Sequence, residues 1–491
     1  MVIGTVISDE ETPNFEKFRF RPAPNSSLAP GEFVTAKIAQ NKYIIGRVVA
    51  SLEINPHEEV ESVVTRQTLK VEPDYPSEGE SVIIYRVYEA EVIDELVADG
   101  TTFKTISIDT FVKSGSEIEV PSSEMVKEFL GLSSDPNDSY NIGKLEMPGL
   151  NTSTQDVMIK KNVIQRHLFI GGTTGSGKSY AAKVFMEEIH KKGIPIIIFD
   201  TQYEFTKLTE KLNGKVLVPE KDYTIKLSSL TVDEILNMVP VHNELHQEIL
   251  EKSLVYLRKI SKDFNLSQLL DKIKEIGTAL GAEKSSNIVS TRTEDIINRS
   301  KYIGKGFAWE SVLKKDAIVD INCRDYLRQD LQAILAATLR ELKTQRESGK
   351  LPPFIIFIDE AHLFVPDDEE TPCRQIIREN IRMGRHHGIC VALITQSPTD
   401  IDKKVIRQCN TRLIFALEPD QLSAIQGIKA DATTDMLNRL PKAKQGSGIL
   451  TGTYETLKHA LPVRIRELEN VDTDSGKTPD IFAEINGTKE Q

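Results

Sequence analysis

Residues 171–180 read GGTTGSGKSY, which contains Gly-x-x-x-x-Gly-Lys-Ser from Gly172 to Ser179. No other stretch of the chain constrains the fold as tightly. Such a loop works when an apolar strand delivers it and a helix leaves it. Its glycines let backbone N–H groups curl around an anion, and the helix start adds positive dipole potential. Both flanks are present, VIQRHLFIGG reading as strand and KSYAAKVFMEEIHKK as helix. The spacing therefore predicts a nucleotide site at the carboxyl edge of an α/β sheet, lined by Gly172, Thr173, Thr174, Gly175, Ser176, Gly177, Lys178, Ser179 and Tyr180. Lys178 is expected to reach the β and γ phosphates and the Ser179 hydroxyl to bind magnesium, so ATP and Mg2+ are the expected ligands.

The rest of the chain is uneven. Residues 1–130 carry short alternating runs such as EFVTAKIA and YIIGRVVASLE, broken by turn material such as RPAPNSSLAPGE, and predict a small N-terminal β-barrel. Residues 131–157, rich in Ser, Asn, Asp, Gly and Pro, read as a linker. Beyond them IPIIIFD, AIVDIN, FIIFIDE, ICVALITQ and RLIFAL are runs suited to strands buried on both faces, as a parallel sheet requires. Core material spans 158–225 and 303–466. The intervening 226–302 holds only helical patterns and reads as an inserted helical subdomain, and 467–491 reads as a C-terminal arm.

Three further stretches carry chemistry. FIIFIDE ends in Asp359 and Glu360, two carboxylates at the edge where open α/β sheets bind ligands. Asp359 is expected to hold the magnesium through water and Glu360 to polarise an attacking water, which favours hydrolysis over a switch; capping of the next helix is the plainer role for an aspartate there. ICVALITQ ends in Gln396, an amide able to meet the γ phosphate or that water. RENIRMGRHHG places Arg382 and Arg385 three apart on one helix side, where a guanidinium can project toward a neighbour's phosphate. A solvated basic helix end is the alternative.

Composition excludes little. The apolar and charged fractions, 39% and 27%, are those of a folded globular protein. A net charge of −12 argues against a chain coated in nucleic acid, yet is compatible with a small basic channel. The start MVIGTVISDEETP lacks signal-peptide features, no run is long enough for a membrane helix, and a cytoplasmic protein is expected. Four cysteines without a Cys-x-x-Cys pair suggest neither a disulfide framework nor a zinc site.

The set GGTTGSGKS, FDTQYEF, FIIFIDEAHLF, IRMGRHHGICVALITQSPTDID and RLIFAL, in that order, resembles the HerA family of hexameric DNA translocases. The resemblance implies an α/β RecA-like P-loop core with an N-terminal small β-barrel and an inserted helical subdomain. It also implies a homohexameric ring around double-stranded DNA and an ATP-driven translocase or helicase, which supports DNA end resection and recombinational repair with a NurA-type nuclease docked on the barrel. A HerA-like ring that scaffolds an effector, a nuclease or an NAD hydrolase, in antiviral defence is the alternative. Lys178 and Ser179 match the family's loop residues, Glu360 its catalytic glutamate, Gln396 its sensor and Arg385 its trans-acting arginine. Arg166 matches an arginine that approaches the nucleotide, and Asp200 and Glu204 an acidic pair after the second strand. Relatives can carry a lysine in the loop after the Asp-Glu motif, where this chain has VPDDEE. Lys403, Lys404 and Arg407, just past the sensor strand, are candidates for DNA-backbone contacts, a solvated helix face being equally compatible.

Overall fold

The computed structural model describes residues 2–8, 12–24, 26–54, 85–146, 155–241, 243–261, 263–427 and 431–469. The chain divides into two compact units, one of residues 1–135 and 144–157, the other of residues 136–143 and 158–491. Most of the C-terminal arm, 470–491, lies outside the described residues.

The first unit is a single antiparallel sheet of β1 (Val2–Ile7), β2 (Lys17–Pro22), β3 (Phe33–Ala39), β4 (Lys42–Ile54), β5 (Tyr85–Asp99), β6 (Thr102–Ile106) and β7 (Glu117–Glu119). Its order is β2-β1-β7-β3-β4-β5-β6, and a further pairing of β2 with β5 closes the hydrogen-bonded circuit. Period-two alternation drives this. In KFRFRP only Phe18 and Phe20 are buried, and Phe20 stacks on Tyr88 of β5 at 5.5 Å between ring centroids. The Tyr88 hydroxyl accepts from the Leu28 N–H, so its buried polar end is satisfied.

The remaining strands are β8 (Ser139–Leu145), β9 (Asp156–Lys160), β10 (Leu168–Gly171), β11 (Ile196–Asp200), β12 (Lys215–Leu217), β13 (Ile225–Lys226), β14 (Ile303–Gly304), β15 (Ile318–Asn322), β16 (Phe354–Ile358), β17 (Ile389–Thr395), β18 (Thr411–Ile414), β19 (Ser447–Gly452) and β20 (Leu461–Ile465), all from β10 onward belonging to the second unit. Eleven of them form one sheet ordered β12-β15-β11-β16-β17-β10-β18-β19-β20-β8-β9. From β12 to β18 all neighbours are parallel, and β19 and β20 add antiparallel. Every residue of β11 and β16 is buried, the sequence signature of a sheet covered on both faces.

Two sequence readings change here. The stretch taken as a linker contains β8, whose Tyr140, Ile142 and Leu145 are buried. Gly143 lies so close to the Arg464 carbonyl of β20 that a Cβ would sit 2.0 Å from that oxygen, so a residue that looks like loop composition is there for close backbone approach. The strand expected from VIQRHLFIGG is also shorter. Lys161–Arg166 winds as 3-10 turns, His167 has φ 65°, and only Leu168–Gly171 pairs.

The helices Val232–Met238, Glu244–Ile260, Leu266–Ala279 and Glu283–Arg299 occupy the chain between β13 and β14, which pair with each other in parallel. Their apolar stripes, including Leu254, Leu257, Leu269, Ile273 and Val289, join one buried cluster with Tyr223, Trp309 and Ile334. They share the core of the sheet and its covering helices rather than forming a core of their own. Among the described residues no helix is long and apolar enough to cross a membrane.

Candidate nucleotide site

β10 ends between β17 and β18, with Gly171 opposite Thr395 on one side and Ile414 on the other. The loop then turns at Gly175, φ 77°, and Gly177, φ 110°, a backbone region costly to side chains. A Cβ on Gly177 would also stand 3.0 Å from the Gly446 nitrogen. Lys178 opens the helix Lys178–Lys191, is buried, and donates from Nζ to the Thr173 carbonyl at 2.8 Å, while the Ser176 hydroxyl donates to the same oxygen at 2.7 Å. Burial depresses the Lys178 ammonium, and the charges of Glu360, Glu204 and Asp359 partly restore it. The loop lysine therefore shares its field with all three of those acids. The Tyr180 hydroxyl accepts from the Leu468 N–H at 2.8 Å, which ties this residue to the segment after β20.

Asp359 follows β16 directly and is buried. One of its oxygens accepts from the Thr201 hydroxyl at 3.0 Å. Burial drives the Asp359 carboxyl well above the usual range, and the nearby charges of Glu360, Asp200 and Glu204 push the same way. Such crowding of acids around one lysine is what a divalent cation relieves, so these residues fit magnesium. Ser179 and Asp359 would hold it, with water and phosphate oxygens completing the shell.

Glu360 has φ 47°, a left-handed conformation that costs a non-glycine residue energy and concentrates at functional turns. Its Oε2 is buried without a hydrogen-bond partner and lies 3.2 Å from His362 Nδ1. The same Nδ1 is 3.2 Å from the Thr395 hydroxyl at the end of β17. Gln396 comes next, and its Oε1 accepts from the Thr174 hydroxyl of the phosphate loop at 2.8 Å. The predicted sensor therefore touches the predicted loop.

Asp200, the first of the acidic pair, is engaged by backbone N–H groups of its own loop. Its Oδ1 accepts the N–H groups of Gln202 and Glu204 at 3.1 and 3.2 Å, and its Oδ2 that of Phe205 at 2.9 Å. The carboxylate ties the 201–205 loop that presents Thr201 and Glu204 to the site. Beside it on β15, Asp320 accepts from the Thr206 hydroxyl at 2.8 Å, and burial, reinforced by the Asp200 charge, pushes its carboxyl up to about 8.

The arginines lie at the opposite edge. Arg166 precedes β10, and the four residues of that strand separate it from the phosphate loop by roughly 13 Å; its guanidinium pairs with Glu455. In this structure that side chain is engaged with Glu455 rather than with the phosphate loop. Arg382 is exposed on the helix Pro372–His387. Arg385 stands in the last turn of that helix, just before β17, and its side chain lies outside the described residues. Because β10 and β17 are adjacent and parallel, Arg166 and Arg385 precede neighbouring strands at the amino edge.

Past the sensor strand, Asp402 caps the helix Lys403–Gln408 through the Lys404 N–H and also accepts from Arg378. Lys404 and Arg407 are exposed and Lys403 is half-buried, while Arg407 donates to the Gly427 carbonyl at 3.3 Å. In the acidic VPDDEE loop, Glu369 pairs with Arg328, and Glu370 with Arg374 and Arg378. Sequence reasoning passed over Thr201, His362, Thr395 and Asp320. Thr201 and Thr395 had a legible signal, a hydroxyl at the end of a core strand, and His362 stands two places after Glu360.

A strand, phosphate loop and helix, followed on later parallel strands by an Asp-Glu pair and a glutamine touching the loop, define a P-loop ATPase with a RecA-like core. Residues 140–380 match the family model described as Helicase HerA, central domain. That stretch, just under half of the chain, carries the HerA central domain. The chain is 24% identical to the DNA double-strand break repair helicase HerA of Sulfolobus acidocaldarius over 72% of this chain and 74% of the relative. It is 24% identical to a probable helicase of Methanocaldococcus jannaschii over 96% of both chains. Among solved structures, VirB4 of Thermoanaerobacter pseudethanolicus superposes with a TM-score of 0.54 at 15% identity, over 69% of this chain and 98% of that one, a likeness of fold.

Proposed function

We propose that the chain is the subunit of a homohexameric ring that hydrolyses ATP to move along or unwind double-stranded DNA, supporting end resection and recombinational repair with a NurA-type nuclease. The observation that carries this reading is the division of one site between two sheet edges. Lys178, Ser179, Asp359, Glu360 and Gln396 gather at the carboxyl edge, while Arg166 and Arg385 precede the same strands at the amino edge. A ring that sets one subunit's amino edge against its neighbour's phosphate loop completes the set with cations from the next chain. The names of the relatives, repair helicases, support DNA as the substrate. The closed circuit of β1 to β7 supports the small barrel, read here as the nuclease-docking domain, and the four helices between β13 and β14 support the inserted subdomain.

In this reading Lys178 and the loop N–H groups bind the β and γ phosphates, Ser179 and Asp359 hold magnesium, which draws charge from the phosphate oxygens, and Glu360 orients and deprotonates the attacking water. Gln396, held on Thr174, registers the γ phosphate. Lys403 and Lys404, next to the sensor strand, contact DNA phosphates. The test is ATP turnover with and without linear duplex DNA across a salt series. Several-fold stimulation that fades as salt rises is expected, and equal turnover in both arms sinks the motor reading.

A further inference from the structure

One oxygen of the Glu360 carboxylate has no hydrogen-bond partner. Glu360 Oε2 is buried, accepts nothing, and has the His362 imidazole as a neighbour at 3.2 Å from Nδ1. A carboxylate oxygen and a bare imidazole nitrogen would face each other lone pair to lone pair at that distance. Nδ1 therefore carries the proton. The same N–H has a second acceptor, the Thr395 hydroxyl, also at 3.2 Å, and one N–H cannot align well with both. Thr395 is no bystander. It ends the sensor strand, its hydroxyl accepts from the Ser397 N–H at 3.1 Å, and its carbonyl accepts from the Gly172 N–H of the phosphate loop at 3.3 Å.

We infer that His362 is a positioning residue that couples the base to the sensor strand, its Nδ1–H exchanging between Thr395 Oγ1 and Glu360 Oε2. With the proton on Thr395, as the unpartnered Oε2 indicates, the carboxylate is not held. When bound nucleotide shifts Gln396 and with it Thr395, the N–H turns to Oε2 and fixes the carboxylate, so that the other oxygen, Oε1, faces the water. The strained backbone at Glu360, φ 47°, points that carboxylate into reach of His362 only two residues on. This inference rests on Glu360 being the base of ATP hydrolysis.

The experiment measures ATP turnover and fluorescent-nucleotide affinity for the full chain and for His362→Ala, His362→Asn, His362→Gln, Thr395→Val and Glu360→Gln. His362→Ala is expected to lose about tenfold in kcat, a fraction of what a general base contributes, with KM and nucleotide affinity unchanged. Asparagine places an N–H where Nδ1 stands and restores most of the rate, whereas glutamine, which mimics Nε2, does not. Thr395→Val combined with His362→Ala costs no more than the larger single effect, because both remove one bridge. A wild-type kcat in His362→Ala, asparagine no better than alanine, or additive losses in the double variant would each overturn the bridge. If instead Glu360→Gln keeps turning over ATP, the assignment of the base fails, and the inference with it.

Discussion

Asp200→Asn probes the least obvious element of the site, a carboxylate that shapes the 201–205 loop. The substitution keeps shape and one acceptor oxygen. With the new amide in the Oδ2 position, the Phe205 N–H meets another donor, and leaving a buried backbone N–H unsatisfied costs about 1–3 kcal/mol. The N–H bonds of Gln202 and Glu204 survive but lose charge assistance, about 1 kcal/mol each. Removing a buried charge returns part of this, because burial holds the Asp200 carboxyl above its ordinary pKa. Relief of repulsion with Asp320 adds little at pH 7, since a carboxyl pushed up to about 8 is mostly neutral there. The net expectation is a loss of about 2 kcal/mol, a drop of several degrees in melting temperature. Thr201 rides on the same loop, so its bond to Asp359 loosens and turnover falls about tenfold at saturating ATP. Thermal melting and steady-state ATP hydrolysis on the same preparation are the assays. Wild-type values in both would refute the claim that Asp200 organises the loop.

Gly177→Ala combines φ 110° with a 3.0 Å approach to the Gly446 nitrogen and should abolish nucleotide binding, read by fluorescent-nucleotide titration; retained binding would mean the loop relaxes freely. Arg166→Ala should leave ATP affinity unchanged and melting within about 1 kcal/mol of stability, the worth of an exposed ion pair with Glu455, yet slow multiple-turnover hydrolysis at least a hundredfold if it acts on a neighbour. Mixing it with Glu360→Gln protein should recover activity, and no recovery at any ratio argues against action in trans. His167 is buried with its imidazole pushed down to about 4, chiefly by burial. The unfolded chain takes that proton near pH 6.5 and the folded chain does not, so stability is intact at neutral pH and falls as pH drops from 6.5 toward 4, by about 3 kcal/mol. His167→Asn should flatten that part of the melting-versus-pH curve relative to wild type, the opposing Asp320 contribution cancelling in the comparison. Identical curves would place the acid sensitivity elsewhere.

The sequence by itself determined the phosphate loop, the strand-borne acids and the sensor glutamine, because each is local chemistry attached to an apolar run whose length and continuity define a buried parallel strand. Lys178, Asp359, Glu360 and Gln396 needed only the rule that such strands point their carboxyl ends to one edge. Tertiary structure decided what depends on pairing partners and direction. The stretch around Tyr140 reads as linker until β20 supplies its neighbour and Gly143 its close contact. Arg166 stands before β10 and the phosphate loop leaves from the other end of that strand, a matter of geometry that spacing along the chain does not carry. Asp200 and His362 likewise look like ordinary polar residues near a motif. Only folding brings three N–H groups onto one carboxylate, and one imidazole between the base and the sensor strand, since those contacts join residues through the sheet rather than along the chain.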